Sequence, residues 1–68
     1  MAIFEKKLVQ ENHRVTDKPV VFRGEAIAFF EPAGTNDQFT MIRFIDGSVR
    51  TVDVKYGDLV SMMMQHGL

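Results

Sequence analysis

In this 68-residue chain, hydroxyl and imidazole chemistry would have to join Ser48 or Ser61 to His13 or His66, because the sequence contains no cysteine. Ser48 sits beside a hairpin turn, but a serine nucleophile needs a general base within hydrogen-bond reach. His13 or His66 would have to supply it across a very small fold, and no nucleophile-elbow context is present. A metal site would have to be built from His13 with Glu11 or Asp17, while His66 has no acidic neighbour. Single histidines flanking loops are ordinary surface residues, and zinc sites draw on several imidazole, thiolate or carboxylate ligands. The acidic side chains have structural tasks of their own. Asp46 belongs to a turn, Asp58 suits a helix cap, and Glu25 has Arg23 and its neighbours to pair with. The five glycines are dispersed rather than gathered into a phosphate-cradling loop. The expectation is a protein without catalytic residues, metal or cofactor.

Binding chemistry has two candidate sources. Arg23, Arg43 and Arg50, with Lys55, would make a nucleic-acid surface if the fold gathered them near Phe39, since arginines contact phosphates and aromatic rings stack on bases. Eight basic residues stand against nine acidic ones, a net charge of −1. Dedicated nucleic-acid binders show a basic excess, and Glu25, Glu31 and Asp53 interleave with these arginines, so a nucleic-acid role is the second reading. The other source is the apolar run Leu59-Val60-Ser61-Met62-Met63-Met64, with Leu68 beyond it. Methionine is flexible and polarisable and suits adaptable interfaces as well as irregular cores.

These side chains must be positioned by a small number of elements. Phe39 to Ile45 and Ser48 to Val54 are β-rich runs flanking Asp46-Gly47, a pair that accepts the positive φ of a two-residue hairpin turn. That turn predicts Ile45 opposite Ser48, Phe44 opposite Val49, Ile42 opposite Thr51 and Met41 opposite Val52. It also sets Arg43 against Arg50, an unfavourable pair of like charges. Upstream, residues 19–31 read as one long strand that Pro19 opens, Pro32 closes and Gly24 bends, followed by a polar loop over residues 33–38. Together these runs predict a three-stranded antiparallel meander over residues 20–54.

Residues 3–11 suit a strand slightly better than a helical stripe. At the other end Asp58 is the expected N-cap of about two turns of helix, with Gly67 as terminator. So short a helix needs packing to persist.

Both faces of the hairpin carry apolar side chains, Ile42, Phe44 and Val49 on one and Phe39, Met41, Ile45, Val52 and Val54 on the other. A sheet with one solvated face alternates more cleanly. The sheet is therefore expected to curl into a small barrel, or to have its outer face covered by a second subunit. The fold class expected is mainly β: a small barrel or bent antiparallel meander with a short C-terminal helix, as a single domain over residues 1–68.

The succession Phe22-Arg23-Gly24-Glu25-Ala26-Ile27, a variable loop, Ile42-Arg43-Phe44-Ile45-Asp46-Gly47, Val52-Asp53-Val54 and Gly57-Asp58-Leu59 resembles SH3-like barrels of the Tudor and KOW type, over roughly residues 20–60. The resemblance is one of fold. It implies binding of peptides, modified side chains, nucleic acid or other subunits rather than catalysis. The aromatic cage of the methyl-lysine readers has no counterpart here, because Tyr56 and the six phenylalanines are expected in the core.

At 46% apolar and 25% charged residues the composition is that of a folding chain. No apolar run approaches the roughly 20 residues that span a bilayer. The early charges of residues 1–7 do not suit a secretory leader, and a chain without cysteine suits a reducing, cytoplasmic setting. The function expected is that of a protein-interaction module of adaptor or inhibitor type, such as phages and mobile elements encode, docking on a protein partner, on a second copy of itself as a homodimer, or on both. Its expected interface combines Leu59, Met62, Met63 and Met64 with a sheet face around Met41, Arg43 and Arg50.

Overall fold

The computed structural model describes residues 3–66. Gly67 and Leu68, expected to end and extend the apolar helix, lie outside the described residues, as do residues 1 and 2. Five strands are followed by one helix: β1 Ile3–Val9, β2 Val15–Arg23, β3 Ile27–Ala33, β4 Phe39–Phe44, β5 Val49–Val52 and α1 Tyr56–Gln65. All pairings are antiparallel, in the spatial order β2-β1-β5-β4-β3. No pairing joins β2 to β3 among the described residues, so the sheet is bent but unclosed. Of the two forms expected, it is the bent antiparallel sheet rather than a closed barrel. No helix among the described residues is long and apolar enough to cross a membrane.

The strand expected over residues 19–31 is divided. Gly24, expected at a bend, opens a 3-10 turn over Gly24–Ala26. Before it, β2 pairs with β1; after it, β3 pairs with β4. The meander is therefore β3-β4-β5, and β2 belongs to an N-terminal hairpin whose loop spans residues 10–14. Neither proline bounds its strand. Pro19 lies within β2 opposite Lys7, and Pro32 lies within β3 opposite Thr40. Both are tolerated for one reason: β2 and β3 are the two edges, where a missing N–H need not break a ladder on the outer side.

The β4–β5 hairpin turns where expected but by a different loop. The Phe44 N–H donates to Ser48 O at 2.9 Å and the Gly47 N–H donates to Phe44 O at 2.9 Å, with Gly47 at φ 91°. Ile45, Asp46 and Gly47 thus form a three-residue connection ending in a left-handed glycine. The register moves by one residue, so that Arg43 faces Val49, Ile42 faces Arg50 and Met41 faces Thr51. The expected Arg43–Arg50 apposition does not occur. A slip of one carries every side chain of β5 to the other face: Val52 joins the core, and Val49 is turned out.

The core gathers Phe4 and Phe22 from the first hairpin, Ile42 and Val52 from the meander, Val54 just beyond it, and Leu59 and Met63 from α1. Such side chains contribute about 1.5–3 kcal/mol each on full burial. Aromatic contacts tie the parts together: Phe4 to Phe22 at 5.5 Å, Phe22 to Phe44 at 5.7 Å and Phe30 to Tyr56 at 5.6 Å between centroids. The two halves of the sheet meet narrowly, where Leu8 faces Val52 and the Asp53 N–H donates to Lys7 O at 2.8 Å.

The helix begins at Tyr56 and has ten residues, longer than expected, with Lys55 rather than Asp58 at its N-cap. Lys55 makes no side-chain capping bond, and Asp58 lies inside the first turn, where its negative charge favours the helix N-terminus. Packing of Tyr56 on Phe30 holds this start.

Candidate interaction face

The sheet's two faces are filled differently. In β4, Thr40 and Ile42 point into the core and are fully buried, while Arg43 is exposed. Cross-strand partners share a face. The register therefore lays out two rows on the side away from the core: Phe29, Arg43 and Val49, then Glu31, Met41 and Thr51. Phe29 is 48% exposed and Val49 37%. The Arg43 guanidinium carbon stands 5.7 Å from the centroid of the Phe29 ring, a cation–π contact worth about 0.5–1 kcal/mol at an exposed site. Arg43 and Glu31 make no ion pair among the described residues. The face thus presents an aromatic ring, two aliphatic side chains and one charge of each sign.

The β1–β2 loop walls one end of this face. Residues 10–14 stand across a cleft from Ala33, Val49, Arg50 and Thr51, so that Glu11, Arg14 and Arg50 border this end of the face. His13, in the left-handed region at φ 57°, sets its ring edge-on to Phe39 at 5.8 Å between centroids. Phe39 is thereby 4% exposed. Gly34, at φ 76°, completes the cover, since a Cβ there would come within 3.0 Å of the Phe39 ring. His13 is thus packed on an aromatic, and no group of three or more His, Asp or Glu placed to hold a metal is found among the described residues.

The Ser48 hydroxyl donates to Asp46 Oδ1 at 2.6 Å, and its N–H donates to the same oxygen at 2.8 Å. The Ser48 hydroxyl bond, then the backbone bond, hold the Asp46 carboxyl below the usual aspartate range. His66 rests edge-on against Phe4 at 5.7 Å.

Of the residues singled out for an interface, Met41 and Arg43 share the outer face. Arg50 does not join them: it lies opposite Ile42, and its Nη1 donates to Val49 O at 2.8 Å. The methionine run is split by the helix. Leu59 is fully buried and Met63 nearly so, and both are core residues; Met62 is half-buried against them, and only Met64 stands out, at 75% exposure. Because Leu59 and Met63 pack with Ile42 and Val52, α1 covers the face opposite to Met41 and Arg43. The methionines and the sheet face therefore form no continuous surface. The cations are also dispersed. Arg23 approaches Glu25 at 3.9 Å, Arg43 is over Phe29, Arg50 borders both the cleft beside Val49 and a second groove, and Lys55 precedes α1.

Phe29 and Val49 are the face's main apolar side chains, and neither stood out in the sequence. The signal for Phe29 is its place in the pair Phe29-Phe30, since successive strand residues point to opposite faces and one of two adjacent phenylalanines must turn outward. Phe30 packs on the core and Phe29 does not.

No family model matches this chain, and no match was found among curated proteins or solved structures.

Proposed function

We propose that the chain is a non-enzymatic protein-interaction module that docks through the outer face of β3, β4 and β5. The observation that carries this reading is the row Phe29, Arg43, Val49, left uncovered on the side of the sheet away from α1. Aromatic and arginine side chains are the types that dominate binding energy at interfaces. The occupant that fits is a folded protein surface with an apolar centre, a carboxylate to meet Arg43 and a cation to meet Glu31. A polyanion suits the face poorly, because Glu31 stands in the row beside Arg43, and Glu11 lines the adjoining cleft with Arg14 and Arg50. The SH3-like outline read from the sequence supports the same class of function, since families of that outline bind rather than catalyse. Among the described residues, α1 offers self-association the exposed Met64 and parts of Val60 and Met62.

The test is partner retention by the native chain and by Phe29→Lys and Arg43→Glu variants, each checked for an unchanged circular-dichroism spectrum. A stoichiometric protein partner should be held by the native chain, lost by both variants and kept by Met64→Lys. Retention by both face variants would sink the proposal. Salt-dependent retention on DNA or RNA, lost when Arg23, Arg43, Arg50 and Lys55 are neutralised, would replace it with the nucleic-acid reading.

A further inference from the structure

We infer that the seam at which the sheet fails to close is a second docking surface, which takes up an extended apolar peptide segment carrying acidic side chains. Among the described residues, β2 has a hydrogen-bonded neighbour on one side only. Its other side offers backbone N–H and C=O groups to an added strand, the basis of recognition by β-augmentation. Edge strands are ordinarily blunted by proline and charge. β2 is blunted in this way only in its first half, where Asp17, Lys18 and Pro19 stand in succession; the second half, residues 20–23, has no proline and a single charge at its end.

Facing this unguarded half is the β4–β5 turn. The Ile45 N–H donates to Ala26 O at 2.8 Å, which anchors that turn beside the bend after β2. Between them runs a groove lined by Val20, Val21, Phe44 and Ile45, with Arg23 and Arg50 at its border. Val21 is 62% exposed and Ile45 73%, while the Phe22 and Phe44 rings meet at 5.7 Å between centroids and join the two sides of the groove. An extended segment lying here would form backbone bonds with β2 and place alternate side chains on this apolar surface.

The charges name the partner's chemistry. Asp46, the one carboxylate lining the groove among the described residues, faces Arg50 but directs Oδ1 to the Ser48 N–H and hydroxyl. Arg50 engages one N–H with Val49 O, leaving the rest of its five donors open. The Arg23 contact to Glu25, at 3.9 Å with both side chains more than half exposed, is too loose to occupy Arg23. Two under-used guanidinium groups beside an apolar groove select carboxylates. A second copy of the chain fits less well, because its own residues 20–23 carry no carboxylate for Arg23 or Arg50.

The experiment is selection from a random peptide library on the immobilised chain, followed by amide chemical-shift mapping with a synthetic copy of the enriched sequence. The result expected is enrichment of β-branched residues alternating with Asp or Glu. Shifts should centre on residues 20–23, Ile45 and Arg50, with slowed exchange of β2 amides. Arg50→Glu should weaken binding about tenfold or more, and a peptide with Lys in place of its acids should recover it. Val21→Lys, at an exposed position, should also weaken binding while the fold persists. Phe29→Lys should leave the peptide bound, which separates this surface from the outer face. The proposal is overturned by a library without enrichment, by enriched peptides lacking acids, or by shifts confined to the outer face. Protection of β2 amides that rises with protein concentration in the absence of peptide would assign the edge to a second copy and overturn it as well.

Discussion

The hydroxyl of Thr40, fully buried in β4, donates to the carbonyl oxygen of Val54 at 2.9 Å, fixing the chain beyond β5 against the centre of the sheet. This contact is positioned to set where the chain leaves the sheet and turns into α1. Thr40→Val keeps the shape, removes the donor and leaves the Val54 carbonyl unsatisfied. A loss of about 1–3 kcal/mol is expected, read as a shift in the urea midpoint with unchanged slope.

The division of the methionine run predicts unequal responses to similar changes. Leu59→Ala should cost about 2–5 kcal/mol, and Met63→Ala a similar amount, because both leave cavities in a core of few side chains. Met64→Ala should stay within about 0.5 kcal/mol of the native chain, as exposed positions do. Thermal melts of the three variants decide the matter, and equal losses at Met63 and Met64 would contradict the rotation of α1 described above.

Two glycines should respond with opposite signs. Gly47, at φ 91°, closes the three-residue turn, and Gly47→Ala places a Cβ in a conformation that L residues disfavour by about 1–2 kcal/mol. Gly57 lies in α1 with open space around its Cβ position, so Gly57→Ala should stabilise the chain by up to about 1 kcal/mol through helix propensity. Denaturant titration of each variant reads the sign directly.

The pH dependence of the turn follows from Asp46. Its folded-state pKa is lowered by the Ser48 hydroxyl and N–H bonds, so the ionised form favours the folded state. That contribution is present above the unfolded-chain value of about 4 and is lost as pH falls through the lower, folded value. Asp46→Asn mimics the protonated group. The melting-temperature gap between the native chain and this variant should therefore be constant near neutrality and close progressively below about pH 4.

Much of the local structure was legible from residue types, because turns and caps are local events. Asp46-Gly47 marks a hairpin wherever it stands between β-rich runs, Gly24 marks a bend, and residues 3–9 form the strand they slightly favour. The N-terminal hairpin was not legible. Its loop residues, Gln10 to Arg14, carry no glycine or proline, and His13 takes positive φ without a sequence mark, supported by its packing on Phe39.

The sequence by itself determined a small, mainly β chain with a tight C-terminal hairpin and a closing helix, since β-branched and aromatic runs, turn pairs and apolar periodicity act over a few residues. The tertiary structure decided register, faces and edges. A two-residue and a three-residue loop are both compatible with Ile45-Asp46-Gly47-Ser48, and the choice between them turned Val49 outward, sent Val52 inward and separated Arg43 from Arg50. In the same way, three adjacent methionines point around a helix in three directions, and only its docking on Ile42 and Val52 settles that Met63 is core and Met64 surface. Side-chain direction depends on what lies opposite, and what lies opposite is set by residues far away in the chain.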